Sequence, residues 1–396
     1  MKGKNNILVI NAGSSSDKIS FFQLDENMVS AVSPQQPAWQ TEIDFPSGDI
    51  DSINWQQLLK GALQPLLEGK AGAAIDKQSS NSGYIDIVGH RVVHGGDKYS
   101  SAVIIDDQVK KDIEKYMPLA PLHNKISLFH INALEKLLPN AKQIAVFDTA
   151  FHRTLPDAVS FYPVPYEWHE KYDIKRFGFH GINHEYCSKQ AAHILQADIA
   201  NFSAITCHLG SGCSLAAIEN GKSINTTMGL TPLEGLMMCS RSGSIDPSIL
   251  LYLLKNKKTT VDELESTLNK NSGLKGISQI SADMKVIIEK MQSNSSEAKL
   301  ARLAFDMFIS RLRAGICTMR ASLNKLDAIV FTAGIGEHAP LVREKACAGL
   351  EFLGFELDKK ANENNALNIS STNSTTAILV IKAREDWAIA GQCLRC

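Results

Sequence analysis

Two stretches far apart in the chain carry one pattern. ILVINAGSSSDKISFF (Ile7 to Phe22) and AITCHLGSGCSLAAI (Ala204 to Ile218) each run an apolar strand into a loop of small residues and then resume the apolar run. Laid together, they put His208 under Asn11, Gly210 under Gly13 and Ser211 under Ser14. The repeat implies an internal duplication, with two α/β domains whose loops face each other across a cleft. Loops of Gly and Ser let backbone N–H groups and hydroxyls converge on phosphate oxygens, and Lys18 adds a point charge. The first loop is not a P-loop, because no Gly-Lys-Ser/Thr follows and no helix pattern opens there. One such loop alone reads as a hairpin turn. A third stretch, DAIVFTAGIGE (Asp327 to Glu337), sends another buried strand into a Gly-rich turn, and three such loops form a nucleotide-site hypothesis.

A chain of 396 residues is long enough for two domains that each bury a core. Its net charge of −1 offers no general attraction to nucleic acid or an anionic membrane, which leaves small-molecule chemistry. The four-residue apolar core Ile7 to Ile10 is too short for a signal peptide, and no later run approaches membrane-spanning length. Eight scattered cysteines then read as reduced cytoplasmic thiols, and Cys393-Leu394-Arg395-Cys396 as frayed terminal thiols rather than a metal or redox site.

Along the chain, residues 33–46 and 68–83 read as surface connections, with an amphipathic helix between them at Asn54 to Leu67. A strand at Ile85 to Val88 precedes Gly89-His90-Arg91-Val92-Val93-His94-Gly95-Gly96. Just past a strand end, Arg91 is placed either to reach into a site or to form a surface ion pair. Ala120-Pro121-Leu122-His123-Asn124 precedes a helix pattern from Ile126 to Leu138. Asp148, closing the strand Gln143 to Phe147, reads equally as a turn cap and as a carboxylate at the site's edge. The Pro-rich segment Leu155 to Pro165 marks passage into the second half, where His180 sits among glycines and aromatics and Arg241 beside Ser240 and Ser242 suggests anion contact. Helices dominate 247–325, a loop covers 361–376, a last strand runs from Ala377 to Ile381, and a short helix follows Glu385.

The ordered motifs ILVINAGSSS, GHRVVHGGD, APLHN, VFDTAFH, FGFHG, CHLGSG, MGLTPLEGLMM with RSG, SGLKGIS and FTAGIGE resemble the acetate kinase family over nearly the whole chain. That family belongs to the actin and sugar-kinase ATPase superfamily. The resemblance implies duplicated actin-like (ribonuclease H-like) α/β domains with a nucleotide cleft between them: residues 1–150, joined by a C-terminal helix near 385–396, and residues 151–384. It implies Mg2+ (or Mn2+) at Asn11 and Glu385, and ATP or ADP at Lys18, Ser14, Ser16, His208, Leu209, Gly210, Ser211 and Gly212. Asp283, Met284 and Lys285 with Gly334, Ile335, Gly336, Glu337 and His338 match the remaining nucleotide segments. Arg91, Asp148, His180 and Arg241 match the catalytic group, with His123 nearby. Val93, Leu122, Phe179 and Pro232 match the pocket for the acyl methyl group. A cytoplasmic homodimer acting on acetate and acetyl phosphate is implied as well.

The chemistry gives these residue types a reason. A carboxylate acceptor is already ionised at neutral pH, so attack on the γ-phosphorus of ATP needs no strong base, and the difficulty is an anion approaching a polyanion. Cations held in line answer that difficulty, and Asp148 then orients Arg91 or metal-bound water. Five positions depart from the family pattern: Ser211 for Asn, Lys125 for Pro, Ser244 for Asp, His338 for Asn and Arg384 for Asn. Propionate kinase shares this reaction and nearly all the motifs. A non-catalytic actin-like ATP-binding protein would have lost Arg91, His180 and Arg241, all present here. A metal hydrolase on the histidines finds no suitable HxxxH pair.

Overall fold

A computed structural model describes residues 4–13, 16–25, 34–45, 50–68 and 85–396, except the side chain of Leu122. The chain divides into two units. The first comprises 1–153, 181–186 and 384–396, and the second 154–180 and 187–383.

In the first unit, β1 (Asn5–Ala12), β2 (Ser16–Leu24), β3 (Trp39–Asp44), β4 (Ile87–Val92), β5 (Val103–Ile104) and β6 (Lys142–Phe147) form one sheet in the order β3-β2-β1-β4-β6-β5. The antiparallel β1–β2 hairpin pairs Asn11 with Lys18, and β4 lies parallel to β1 with His90 opposite Ile10. Because side chains alternate along a strand, Asn11, Lys18 and Arg91 share one face of the sheet, and Ala12, Asp17 and His90 the other. α1 (Trp55–Leu67) and, after α2 (Asp107–Lys115), α3 (Pro121–Leu137) pack on that second face, where Trp55, Leu59, Leu63 and Leu134 meet Leu8, Ile10, Ile19 and Val88. The chain's last helix, Glu385–Cys393, covers the first face. Gly89 permits this approach, since a Cβ there would stand 2.6 Å from Cys393 Sγ and 2.9 Å from Ile389 Cγ2. Cys393 is therefore buried inside a helix rather than frayed, and only Cys396 is exposed.

The second unit repeats the design. β7 (Ser203–Leu209), β8 (Cys213–Glu219) and β9 (Lys222–Thr226) form the antiparallel part, and β10 (Ala328–Thr332) and β11 (Ala377–Val380) add in parallel, in the order β11-β10-β7-β8-β9. Read from the edge, β3-β2-β1-β4-β6 and β9-β8-β7-β10-β11 are the same topology. The duplication seen in two loops thus extends to two whole sheets. This unit also holds α4 (Asp157–Ser160), α5 (Tyr166–Tyr172), the part of α6 (Gly181–Ile194) from Cys187 onward, α7 (Pro247–Lys255), α8 (Val261–Lys270), α9 (Gly273–Ser278), α10 (Met284–Met291), α11 (Ala298–Ala321), α12 (Ala333–His338), α13 (Pro340–Cys347) and α14 (Lys359–Glu363); the last helix of the first unit, Glu385–Cys393, is α15.

Several local expectations need correction. Residues 39–44, read as a connection, form β3, an edge strand whose alternate residues are only half-buried, so its composition stays polar. Arg91 lies within β4 rather than past its end, and the APLHN motif opens α3, with Pro121 at its first position where no N–H is needed. The Gly-rich stretch after β10 is helix from its first residue, entered through a left-handed Ala333 at φ 64° whose N–H donates to Glu337 Oε1 at 2.9 Å. Part of the 361–376 stretch is α14. The remainder of the 68–83 connection, beyond Glu68, falls outside the described residues.

His90 is buried in the first core, its Nε2 2.7 Å from Gln143 Oε1. Burial, opposed by the Gln143 bond and aided by the charge of His130, pushes its pKa down to about 4. A neutral histidine in the fold and a protonated one in the unfolded chain below pH 6.5 make stability decrease as the pH is lowered. Between pH 6.5 and 4, His90 is expected to remove about 3 kcal/mol. Urea titrations of wild type and His90→Asn across that range check this: the variant should lose less, and equal losses would refute it.

Candidate active site

In the first unit, the shared face of β1, β2 and β4 brings Asn11, Lys18 and Arg91 into neighbouring positions. Arg91 donates from Nε and Nη2 to Asp148 Oδ2 at 3.1 and 2.5 Å, and from Nη1 to Ala12 O at 3.1 Å, with Asn11 Oδ1 at 3.5 Å. Asp148 is 1% exposed, and its Oδ2 is committed to Arg91. Burial alone would lower the Arg91 pKa, but the charges of Asp148 and Glu385 and the bond to Asp148 outweigh it and raise it. The guanidinium is therefore a permanent cation whose direction is fixed by two-point contact. Asn11 Nδ2 donates to Glu385 Oε2 at 2.9 Å, which ties the end of β1 to the start of α15. An amide oxygen and a carboxylate so placed are hard donors, which suits a magnesium ion that keeps several waters and takes the rest of its shell from phosphate.

Lys18 is exposed and Ser16 Oγ donates to Glu42 Oε1 at 3.1 Å, while Ser14 falls outside the described residues. Val93 is buried, and His123 is half-buried in the first turn of α3. Lys125, which would put an additional cation near the acceptor, pairs instead with Asp51 at 2.6 Å on the surface. Arg384 is held by Asp386 at 3.0 Å and by Gln35 O at 2.6 Å.

In the second unit, the β7–β8 hairpin tip is Gly210-Ser211-Gly212, and all three of its carbonyls are engaged. Gly210 O accepts from Cys213 Sγ and Cys239 Sγ at 3.4 and 3.5 Å, Ser211 O from Cys239 N at 3.3 Å and Gly212 O from Gly210 N at 3.0 Å. With these lone pairs occupied, the tip repels an anion less. Burial, with the charge of Asp283, pushes the Cys239 thiol up to about 11, so it adds no negative charge. Ser211 is exposed and His208 buried. His180 has left-handed backbone at φ 57°, its Nδ1 is 2.9 Å from Ser214 Oγ, and its ring stacks on His208 with centroids 3.9 Å apart. A Cβ at Gly212 would come within 3.2 Å of His180 Cε1 and 3.5 Å of Arg241 Nη1, which places both side chains against the tip and leaves little room beside His180 for a larger residue.

Arg241 is placed by its loop. Its Nη1 donates to Pro232 O at 3.1 Å, and the flanking Ser240 Oγ and Ser242 N donate to Asn269 O and Leu268 O, both at 3.0 Å, at the end of α8. Ser244 turns back on Gly235, accepting from its N at 3.0 Å. Phe179 is buried and Pro232 half-buried.

Beside the hairpin tip opens a cavity of about 810 Å³, within the range of small-molecule sites. Gly210 and Ser211 line it from the tip, Asp283, Met284 and Lys285 from α10, and Gly334, Ile335 and His338 from α12. Asp283 caps α10, its Oδ1 accepting from Lys285 N at 2.8 Å. Ala339, Pro340 and Leu341 also form its wall, a part sequence reading missed because small apolar residues after a Gly-rich motif carry no chemical signature. Glu337 instead points its Oε1 at the N–H groups of Ala333 and Ala383, 2.9 and 2.8 Å away.

A fixed, half-buried arginine beside hard oxygen donors in one α/β unit, and in its duplicate a cavity under a glycine hairpin flanked by a histidine and an arginine, are the parts of a phosphotransferase. The chain belongs to the acetokinase family, whose sequence profile matches residues 6–391. It is 47% identical over 406 residues to the acetate kinase of Rippkaea orientalis and 48% identical over 401 residues to that of Microcystis aeruginosa, covering 98% of each protein in both cases. Among solved structures, it resembles the acetate kinase of Porphyromonas gingivalis with TM-score 0.86 at 34% identity, and a propionate kinase from Francisella tularensis with TM-score 0.85 at 36% identity. Each comparison spans 99% of both chains.

Proposed function

We propose that this protein transfers the γ-phosphoryl group of ATP to acetate, giving acetyl phosphate and ADP, by direct in-line attack of the carboxylate. The observation that carries this reading is the Arg91 guanidinium, half-buried, locked by Asp148 and set beside Asn11 and Glu385. Arg91 would hold the acetate oxygens, and Val93, Leu122, Phe179 and Pro232 would enclose the methyl group. Arg241 and His180, closing on the hairpin tip, would neutralise and donate to the phosphoryl group in flight. Lys18, Ser14, Ser16 and residues 208–212 would contact phosphate, while the cavity beside α10 and α12 would take the nucleoside. Asn11 and Glu385 would hold Mg2+, which when bound neutralises phosphate charge. Asp148 orients Arg91 and removes no proton, since acetate is already ionised.

Propionate is the second reading, favoured by the Francisella tularensis structure, which is as similar as the acetate kinase structure. Misfit by one methylene is worth about 1–3 kcal/mol, so discrimination should be modest. Hydroxylamine trapping of acyl phosphate, with ATP, magnesium and acetate, propionate or butyrate, decides the matter. Acetate turned over at least as efficiently as propionate is the expected result, a propionate preference moves the assignment to the second reading, and no product with any acid overturns both.

We also infer a cytoplasmic homodimer. α7 exposes Ile249, Leu251 and Tyr252, and α5 exposes Tyr166, Trp168 and Tyr172, large apolar side chains that a second copy would cover. Sedimentation at micromolar concentration should give about twice the 43.3 kDa chain mass, and a monomer would refute it.

A further inference from the structure

The outer wall of the cavity, Gly334, Ile335, His338, Ala339, Pro340 and Leu341, belongs to α12 and the start of α13. α12 has six residues, too few to hold its own shape. Behind it stands Arg343, 0% exposed and with no acidic partner among the described residues. Its guanidinium is spent wholly on neutral oxygens. Nη1 donates to Gly336 O and Glu337 O at 2.8 and 2.9 Å, capping the last carbonyls of α12. Nε donates to Asn362 Oδ1 at 2.8 Å, and Nη2 to Asn362 O and Asn365 Oδ1 at 2.8 and 2.6 Å. Asn362, 1% exposed, closes the circuit by donating from Nδ2 to Pro340 O at 3.0 Å. Three carbonyls of the wall segment are thus held from behind by one arginine and one asparagine.

Holding α12 in place needs no buried charge, because a buried cation without an anion is costly and an apolar side chain would pack the same space. What the planar five-donor fork adds is direction, since it fixes two wall carbonyls and the neighbouring α14 in a single plane. Burial pulls the Arg343 pKa down to about 10, so the fork keeps all its donors at neutral pH.

We propose that Arg343 and Asn362 are positioning residues for the nucleotide: acting through α12, they set the shape of the wall against which the nucleoside half of ATP lies. The inference rests on the cavity being the nucleotide site. It predicts a defect confined to the nucleotide. In Arg343→Met, the KM for ATP and the Kd for ADP should rise about tenfold or more, with the KM for acetate within about twofold of wild type. Arg343→Lys, keeping the charge but not the fork, should recover only a part of that loss, and Asn362→Ala should show the same selectivity at smaller size.

The test is calorimetric titration of wild type and variants with ADP in magnesium buffer, beside steady-state KM values for both substrates and circular dichroism for folding. Unchanged ATP KM in folded Arg343→Met, or a parallel rise in both KM values, would overturn the proposal. Should that variant not fold, Asn362→Ala and Asn365→Ala carry the test, and wild-type ATP KM in both would overturn it equally. Failure of the wild type to bind ADP would refute the functional reading itself, and is told apart by that measurement alone.

Discussion

Replacing Arg91 by alanine is expected to lower the rate of acetyl phosphate formation by about 10³ or more, the loss typical when a phosphoryl-transfer site gives up a directed arginine. The reason lies in how little freedom the side chain has. Two of its nitrogens meet one Asp148 oxygen and a third is held by Ala12 O, so the charge is aimed before substrate arrives and no reorganisation is needed at the moment of reaction. The same substitution strips the guanidinium from Asp148, whose side chain is 1% exposed, and breaking a buried pair in this way costs about 3–5 kcal/mol. Activity and stability should therefore fall together. The double variant Arg91→Ala/Asp148→Ala separates them: it should regain much of the melting temperature and none of the rate. Hydroxylamine trapping and scanning calorimetry read the two quantities, and an Arg91→Ala enzyme within tenfold of wild type would remove Arg91 from the mechanism.

His180→Ala should cut kcat by about 10²–10³ while leaving ADP affinity within about twofold. Its imidazole is built into the second unit by three independent constraints: the left-handed backbone, the Ser214 contact and the stack on His208. With Nδ1 occupied by Ser214, the edge carrying Nε2 is turned to Gly212, where the hairpin tip would receive the phosphoryl group. If the Ser214 hydroxyl donates to Nδ1, Nε2 carries the proton and can give a hydrogen bond to that group. Ser214→Ala should then lower kcat less than His180→Ala and alter the shape of its pH profile. An unchanged kcat in His180→Ala would assign the histidine to packing alone.

The two arginines show why types of residue were easier to read than their positions. Arg91 stands in a strand, and its register decides everything: one residue earlier, His90 faces the opposite side of the sheet, buried and bonded to Gln143. Sequence placed the strand end before Arg91, because the apolar run stops at Gly89 and His90. The glycine is there to admit α15 and the histidine is buried neutral, and neither reason is visible without the helix that arrives from the far end of the chain. Arg241 lies in a loop whose anchors, Leu268 and Asn269, belong to a helix that composition describes only as amphipathic.

What the sequence determined by itself was local and repetitive. Alternation and apolar runs specify β1, β2, β7 and β8 with their small-residue tips, and spacing specifies α1 and most of α3, because those patterns follow from backbone geometry alone. Their recurrence foretold a duplication, which two sheets of matching strand order carry through. Tertiary structure decided the rest: that polar residues 39–44 pair as an edge strand, that Asn11 meets Glu385 across 374 positions, and that Arg343 grips the wall of the cavity. Each depends on which partner is brought alongside, and a hydrogen bond between distant residues leaves no periodic trace in the chain that makes it.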